Sequence, residues 1–139
     1  MQLDVDVLRT LVEMAPEGVV VCDAAASDCP VVYVNAAFAT MSGYTSAQLM
    51  GANLRLLQGT DRQQESRQRM KEAIDKGEPC RVLIRNYRPD GALFWNEVQL
   101  QPLKNGDGNV SHWIGYSKDS ATSNAGSATG KGPCANDSE

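Results

Sequence analysis

The stretch Cys80–Leu103, CRVLIRNYRPDGALFWNEVQLQPL, decides the fold. Two β-rich runs flank the turn sequence Arg88-Pro89-Asp90-Gly91, which reads as an antiparallel hairpin. If Arg88 pairs with Ala92, Asn86 lies opposite Phe94 and Asn96 becomes its diagonal neighbour. Strand alternation then puts Val82, Ile84 and Asn86 on one face with Phe94, Asn96, Val98 and Leu100. Arg85, Tyr87, Trp95, Glu97 and Gln99 take the other face. Two carboxamides therefore stand roughly 7–8 Å apart, backbone to backbone, on an otherwise apolar surface. A buried amide without a partner costs about 1–3 kcal/mol, so such a pair suggests a polar ligand edge inside an apolar pocket. Each carboxamide donates and accepts, which suits an imide edge alternating C=O, N–H and C=O. Against this, a single strand asparagine is commonly turn-adjacent or exposed, and a bulge would scatter the pair.

Outward from the hairpin, Val5, Leu8, Leu11, Val12 and Ala15 fall at helical spacing, with Asp4 as cap and Pro16 as stop. GVVVCDA and PVVYVN are β-branched runs separated by a turn-rich AASDC, a second hairpin. Short helical pieces run from Ala36 to Leu57. TDRQQESRQRMKEAIDKG reads as a helix with Thr60 or Asp61 as N-cap and Gly77 as stop. Strands are expected over Cys80–Tyr87, Leu93–Leu103 and Val110–Ser117. The order predicts an α+β fold with a five-stranded antiparallel sheet and helices packed on one face. From about Ser120 the sequence SATSNAGSATGKGPCANDSE lacks apolar periodicity and reads as a disordered tail or linker.

The 139 residues suit one domain, and 42% hydrophobic with 22% charged residues is ordinary for a globular chain. A net charge of −4 gives no reason to expect nucleic acid or an anionic membrane as partner. No apolar run is long enough to span a bilayer, and acids stand where a signal peptide carries basic residues, so the expectation is cytoplasmic. Cys22, Cys29, Cys80 and Cys134 form no C-x-x-C pair, and with His112 as the lone histidine a zinc site is not expected. Cys22 and Cys29 could form a disulfide, but a cytosolic chain would keep them reduced.

A second polar group surrounds Gly51–Gly59, GANLRLLQG, where Asn53, Arg55 and Gln58 flank Leu54. Arg62 opens the long helix, and Arg67 and Lys71 share one of its faces. Arginines at a helix start beside loop amides can hold a phosphate; with Glu65 and Glu72 nearby they can equally form a solvated face.

Together, YVNAAFATMSGYTSAQLMGANLRLLQGTDR, RNYRPDGALFWNEVQLQPL and HWIGYSKD resemble a light-oxygen-voltage (LOV) domain, the flavin-binding photosensor branch of the PAS superfamily, in its short bacterial form. The resemblance covers Val5 to Asp119. It implies an N-terminal cap helix over 1–16, a core over 17–119 and a tail over 120–139. It implies FMN as cofactor, ahead of FAD or riboflavin. Asn53 and Gln58 would contact the ribityl chain and pyrimidine side. Arg55, Arg62, Arg67 and Lys71 would hold the phosphate, and Asn86 and Asn96 the imide edge.

Two positions depart from the family pattern. Leu54 replaces the cysteine whose sulfur bonds to the photoexcited flavin, so that adduct cannot form there. Ser117 replaces a glutamine that contacts the flavin carbonyl and N5, and its shorter side chain needs a bridging water to reach the ring. Cys22 lies on a strand that lines the pocket in the family, with core packing as the alternative role. The resemblance then implies a blue-light sensory domain without the adduct photocycle, fluorescent and photoreducible to the semiquinone. Trp95, Trp113, Tyr33, Tyr44, Tyr87 and Tyr116 are candidate donors, with Trp95 a remote one on the outer face. The alternatives are a light-indifferent flavin module, reporting redox state or only fluorescing, and an apo PAS-type dimerisation module. No catalytic triad or carboxylate pair suggests an enzyme. Apolar residues on the N-terminal helix and outer sheet face (Leu8, Leu11, Tyr87, Trp95, Trp113) suggest homodimerisation, or cover by the protein's own helix. An effector domain absent from this chain is a further possible partner.

Overall fold

A computed structural model describes residues 3–120; all but the first residue of the expected tail lies outside the described residues. The chain opens with α1 (Val5–Met14), whose N-cap Asp4 accepts a hydrogen bond from the Val7 N–H at 2.9 Å. No residue of α1 is buried; Val5, Leu8, Leu11 and Met14 are exposed. The strands β1 (Gly18–Asp23) and β2 (Val31–Val34) form the first hairpin, with a register shift at Val21/Cys22. Then come α2 (Ala36–Ser42), α3 (Ser46–Leu49), a 3-10 turn (Leu54–Gln58) and α4 (Glu65–Lys76). The strands β3 (Cys80–Tyr87), β4 (Leu93–Lys104) and β5 (Val110–Asp119) complete an antiparallel sheet ordered β2-β1-β5-β4-β3.

The β3–β4 register is the expected one, with Asn86 opposite Phe94 and Ile84 opposite Asn96. The Arg88 N–H reaches the Ala92 carbonyl at 2.9 Å, and Gly91 supplies the positive φ of 89° that the turn requires. Val82, Ile84, Asn86, Phe94, Asn96, Val98 and Leu100 are all buried. The helical layer covers this face, and Val20, Phe38, Leu49, Leu57, Ile84 and Leu100 belong to one core cluster. At Gly18 an added Cβ would stand 3.0 Å from Phe38, so the missing side chain is what lets α2 approach β1.

Asn35 ties three elements together at 1% exposure. Its Oδ1 accepts from the Val19 N–H (2.8 Å) and the Phe38 N–H (3.0 Å), capping α2 and bonding β1 at once. Its Nδ2 donates to the carbonyls of Val12 (2.9 Å) and Glu17 (3.1 Å), anchoring the end of α1.

Both sheet edges are covered. At β2, the Val31 N–H bonds the Ala52 carbonyl and the Gly51 N–H bonds the Val31 carbonyl, each at 2.8 Å. At β3, the Gln64 amide brackets Arg85, accepting from its N–H (2.8 Å) and donating to its carbonyl (3.1 Å), while Ser66 Oγ donates to the Leu83 carbonyl at 2.6 Å. Such cover blunts the pairing tendency of an edge strand.

Two expectations need correction. The long helix starts at Glu65, with Gln64 at the cap position, and neither Thr60 nor Asp61 caps it. Asp61 is instead drawn to the sheet, where it pairs with Arg85 and accepts from Tyr87. Trp113 is not on the outer face. It is 6% exposed, in the core, and shares the inward face of β5 with Gly115 and Ser117.

Candidate functional site

Between sheet and helical layer lies a cavity of about 50 Å³. Its floor is the sheet: Ile84 and Asn86 from β3, Asn96, Val98 and Leu100 from β4, Gly115 and Ser117 from β5, and Val20 from β1. Its roof is Phe38 of α2, Leu54, Leu57 and Gln58 of the 3-10 turn, and Met70 of α4. The lining is apolar except for three amides and one hydroxyl, the usual make-up of a small-molecule site.

The two asparagines point the same way and touch. Asn96 Nδ2 donates to Asn86 Oδ1 at 2.9 Å, and both residues are buried. Asn86 Nδ2 donates to the Arg85 carbonyl at 3.0 Å. That leaves Asn96 Oδ1 and, from the roof, Gln58 Oε1 buried with no hydrogen-bond partner. Buried orphan acceptors are costly enough to be uncommon in native proteins, and these two face one cavity.

Five of the sequence-predicted residues therefore converge: Leu54, Gln58, Asn86, Asn96 and Ser117. The others stand outside the cavity lining. Asn53 caps the 3-10 turn, its Oδ1 accepting from the Arg55 N–H at 2.8 Å, while its Nδ2 donates to the Asp28 carbonyl at 2.8 Å. Arg55 grips the Asp28 carboxylate with two bonds of 2.8 and 2.9 Å, which lowers the Asp28 pKa and raises that of the guanidinium. Arg62 Nε donates to the Gly59 carbonyl at 3.1 Å. Arg67 is half-buried on α4, and Lys71 pairs with Asp75 at 3.2 Å on its exposed face.

The roof residues Phe38, Leu57 and Met70, and Gly115 in the floor, are lining residues that sequence reading did not single out. The signal for Leu57 was its place beside Gln58 in the same 3-10 turn. Gly115 lies between two inward residues of β5, where an added Cβ would stand 3.0 Å from the Val20 side chain. On β1, Val20 lines the cavity and Cys22 belongs to the neighbouring core.

Residues 16–120 match the family model described as a PAS domain. A LOV domain of a blue-light activated histidine kinase from Erythrobacter litoralis is 34% identical, with a TM-score of 0.71, and 96% of that chain is covered by 76% of this one. The chain is a LOV domain of the PAS family. An RNA-binding light-oxygen-voltage receptor superposes on this LOV domain with a TM-score of 0.79 at 40% identity, over 83% of this chain and 32% of that one. A blue-light photoreceptor of Listeria monocytogenes is 32% identical over 84% of this LOV domain and 46% of its own length. The chain spans less than half the length of the curated relatives it matches. Among the described residues, no helix is long and apolar enough to cross a membrane.

Proposed function

We propose that this LOV domain binds FMN and serves as a blue-light sensory module that works without a cysteinyl–flavin adduct. The observation that carries the reading is the buried, unpartnered Asn96 Oδ1 beside Asn86 in an apolar cavity. An acceptor held out of water calls for a donor, and the imide N–H of an isoalloxazine ring supplies one, with its flanking carbonyls facing the amide N–H groups. Gln58 Oε1 calls for a second donor, such as a ribityl hydroxyl.

Bound flavin would supply blue-light absorption, fluorescence and photoreducibility. The chain's residues would hold it, orient it and exclude water. Leu54, which lines the cavity, would pack on the ring and offers neither a transferable proton nor a nucleophile. Ser117, 3% exposed, offers one hydroxyl at the floor. Trp113 stands two residues from Gly115, about 7 Å along β5, and is the indole on the sheet face that would carry the ring. It would therefore be a nearer electron donor than Trp95, which sits half-buried on the outer face with Arg85 at 5.6 Å from its ring centroid.

The cavity is smaller than the roughly 300 Å³ or more of pockets that hold drug-sized ligands, so binding would push the roof away from the sheet. The floor is fixed by strand ladders. Beside Phe38 of α2, the roof is a five-residue 3-10 turn and a methionine, whose unbranched side chain adapts readily. A phosphate group would recruit Arg55 by displacing Asp28, with Arg62, Arg67 and Lys71 as further cations. The exposed apolar face of α1 would join two copies, and the flanking segments 1–16 and 120–139 would connect the core at 17–119 to an effector.

Reconstitution with FMN, riboflavin and FAD, followed by gel filtration and absorption, tests the reading. FMN should co-elute as a yellow, green-fluorescent complex, and Asn86→Ala with Asn96→Ala should weaken it at least about tenfold. A chain left colourless by every flavin overturns it. Leu54 and Ser117 favour one alternative, a flavin module indifferent to light. Anaerobic illumination separates the two: the sensory reading requires photoreduction to change the oligomeric state or α1, and unchanged light-scattering mass and amide exchange would favour the alternative.

A further inference from the structure

The β1–β2 hairpin brings two thiols together that the flavin site does not use. Cys22 is buried on β1, and Cys29 packs against the same cluster from the connecting loop. Both are free thiols, and the strand register pairs Cys22 with Val31, two residues beyond Cys29, so both side chains meet the same core cluster. Asp28 and Cys29 carry φ values of 65° and 45°, the left-handed region that non-glycine residues seldom occupy. Strain of this kind persists where surrounding contacts impose it. Here the contacts are those of Asp28 with Asn53 and Arg55.

We propose that Cys22 and Cys29 form a peroxide-reactive dithiol whose oxidation to a disulfide loosens the 3-10 turn over the flavin cavity. The Cys29 thiolate attacks a hydroperoxide, breaking its O–O bond and giving the Cys29 sulfenic acid and an alkoxide, which takes from solvent the proton that Cys29 had released and leaves as an alcohol (water, for hydrogen peroxide). The Cys22 sulfur then attacks the Cys29 sulfur. The S–S bond forms, the S–O bond breaks, and hydroxide leaves as water with the Cys22 proton. Two thiols lose two electrons in total, and the peroxide gains them.

The two cysteines are suited to different roles. Cys29 is half-buried and reachable, and interaction with the Cys22 thiol brings its pKa down to about 7 against the opposing effects of burial, Asp23 and Asp28. Cys22 is pushed up by interaction with Cys29 and by burial, so it stays a protonated thiol that peroxide does not attack first, and it reacts only once a sulfenic acid stands beside it.

Closure to an S–S bond of about 2.05 Å must move one partner. Cys22 is fixed between Val31 and Trp113 in the sheet interior, so the Cys29 loop moves. Asp28 moves with it, and Asp28 holds both the N-cap Asn53 and Arg55 of the turn that carries Leu54 and Gln58. This second part rests on the flavin reading; the thiol chemistry does not.

The test uses the full chain with Cys80→Ser and Cys134→Ser, so that only this pair can react. After hydrogen peroxide, the tryptic peptide spanning residues 10–55 should lose two hydrogens and both alkylation sites together, and dithiothreitol should restore them. In Cys22→Ser, dimedone should trap Cys29; in Cys29→Ser, Cys22 should stay reduced. Two thiols that remain alkylatable, or that over-oxidise independently, overturn the proposal. FMN affinity of the oxidised protein should fall about tenfold and recover on reduction, and an unchanged affinity overturns the coupling to the turn. A reduced protein that binds no flavin refutes the flavin reading and leaves the peptide-mass result to decide the thiol pair.

Discussion

At Leu54 the proposed adduct-free light response turns on one side chain. Leu54 lines the cavity from the 3-10 turn, so Leu54→Cys places a thiol against the same space. With FMN bound, blue illumination should bleach the visible absorption and fluorescence of Leu54→Cys, with full recovery in the dark. The parent chain should show no such thermally reversible bleaching in aerated buffer. Asp28 offers a second residue-level test. An exposed ion pair contributes little to stability, and a phosphate must displace Asp28 from Arg55. Asparagine tolerates the left-handed backbone at this position, so Asp28→Asn should fold normally. It should strengthen FMN binding about two- to fivefold and leave riboflavin binding unchanged in parallel fluorescence titrations. The convergence of Asn86 and Asn96 was legible in the sequence because alternation along two strands joined by a tight turn fixes which side chains share a face. The engagement of Asn53 and Arg55 with Asp28 was not, because that partner lies 25 to 27 residues away and carries no local pattern.

Among the elements, the junction of α4 with β3 shows where local signals mislead. Thr60 and Asp61 look like helix caps, yet Asp61 is better satisfied by two bonds to Arg85, at 2.6 and 2.9 Å, and one from the Tyr87 hydroxyl at 2.6 Å. These hold its carboxyl near a pKa of about 2, below the ordinary 3.8, with the Arg85 bonds the largest cause. A carboxyl whose folded pKa is depressed adds stability that is complete above about pH 4 and is lost as pH falls through 2. Asp61→Asn should therefore lower the melting temperature at neutral pH and flatten its decline between pH 4 and 2. A parallel decline in both proteins across that window would show that the pair does not stabilise the fold. The five strands and α1 were legible from periodicity and turn residues. The helix start was not, since a tertiary ion pair outcompeted the cap.

For the whole molecule, Asn35 is the residue on which the layers depend. Asn35→Ala removes a helix cap and leaves the buried Val19 N–H unpaired, which should cost about 2–4 kcal/mol in urea unfolding. Amide exchange should rise first in α1, whose end loses its anchor at Val12. The α+β layout was readable from element order. The inward turn of Trp113 was not, because β5 carries large apolar residues on both faces, with Ile114 and Tyr116 pointing opposite to Trp113, and alternation alone cannot choose between them. The strand order has one more consequence. Gly18, where β1 begins, pairs with Ser117 near the close of β5, so the first and last strands meet side by side at the middle of the sheet. Whatever polypeptide is joined ahead of β1 or behind β5 thus departs from a single corner. A unit built this way can be spliced as a cassette into a surface loop of a host protein with little spreading of the loop's ends, and a twist at that doorway would reach both flanks together.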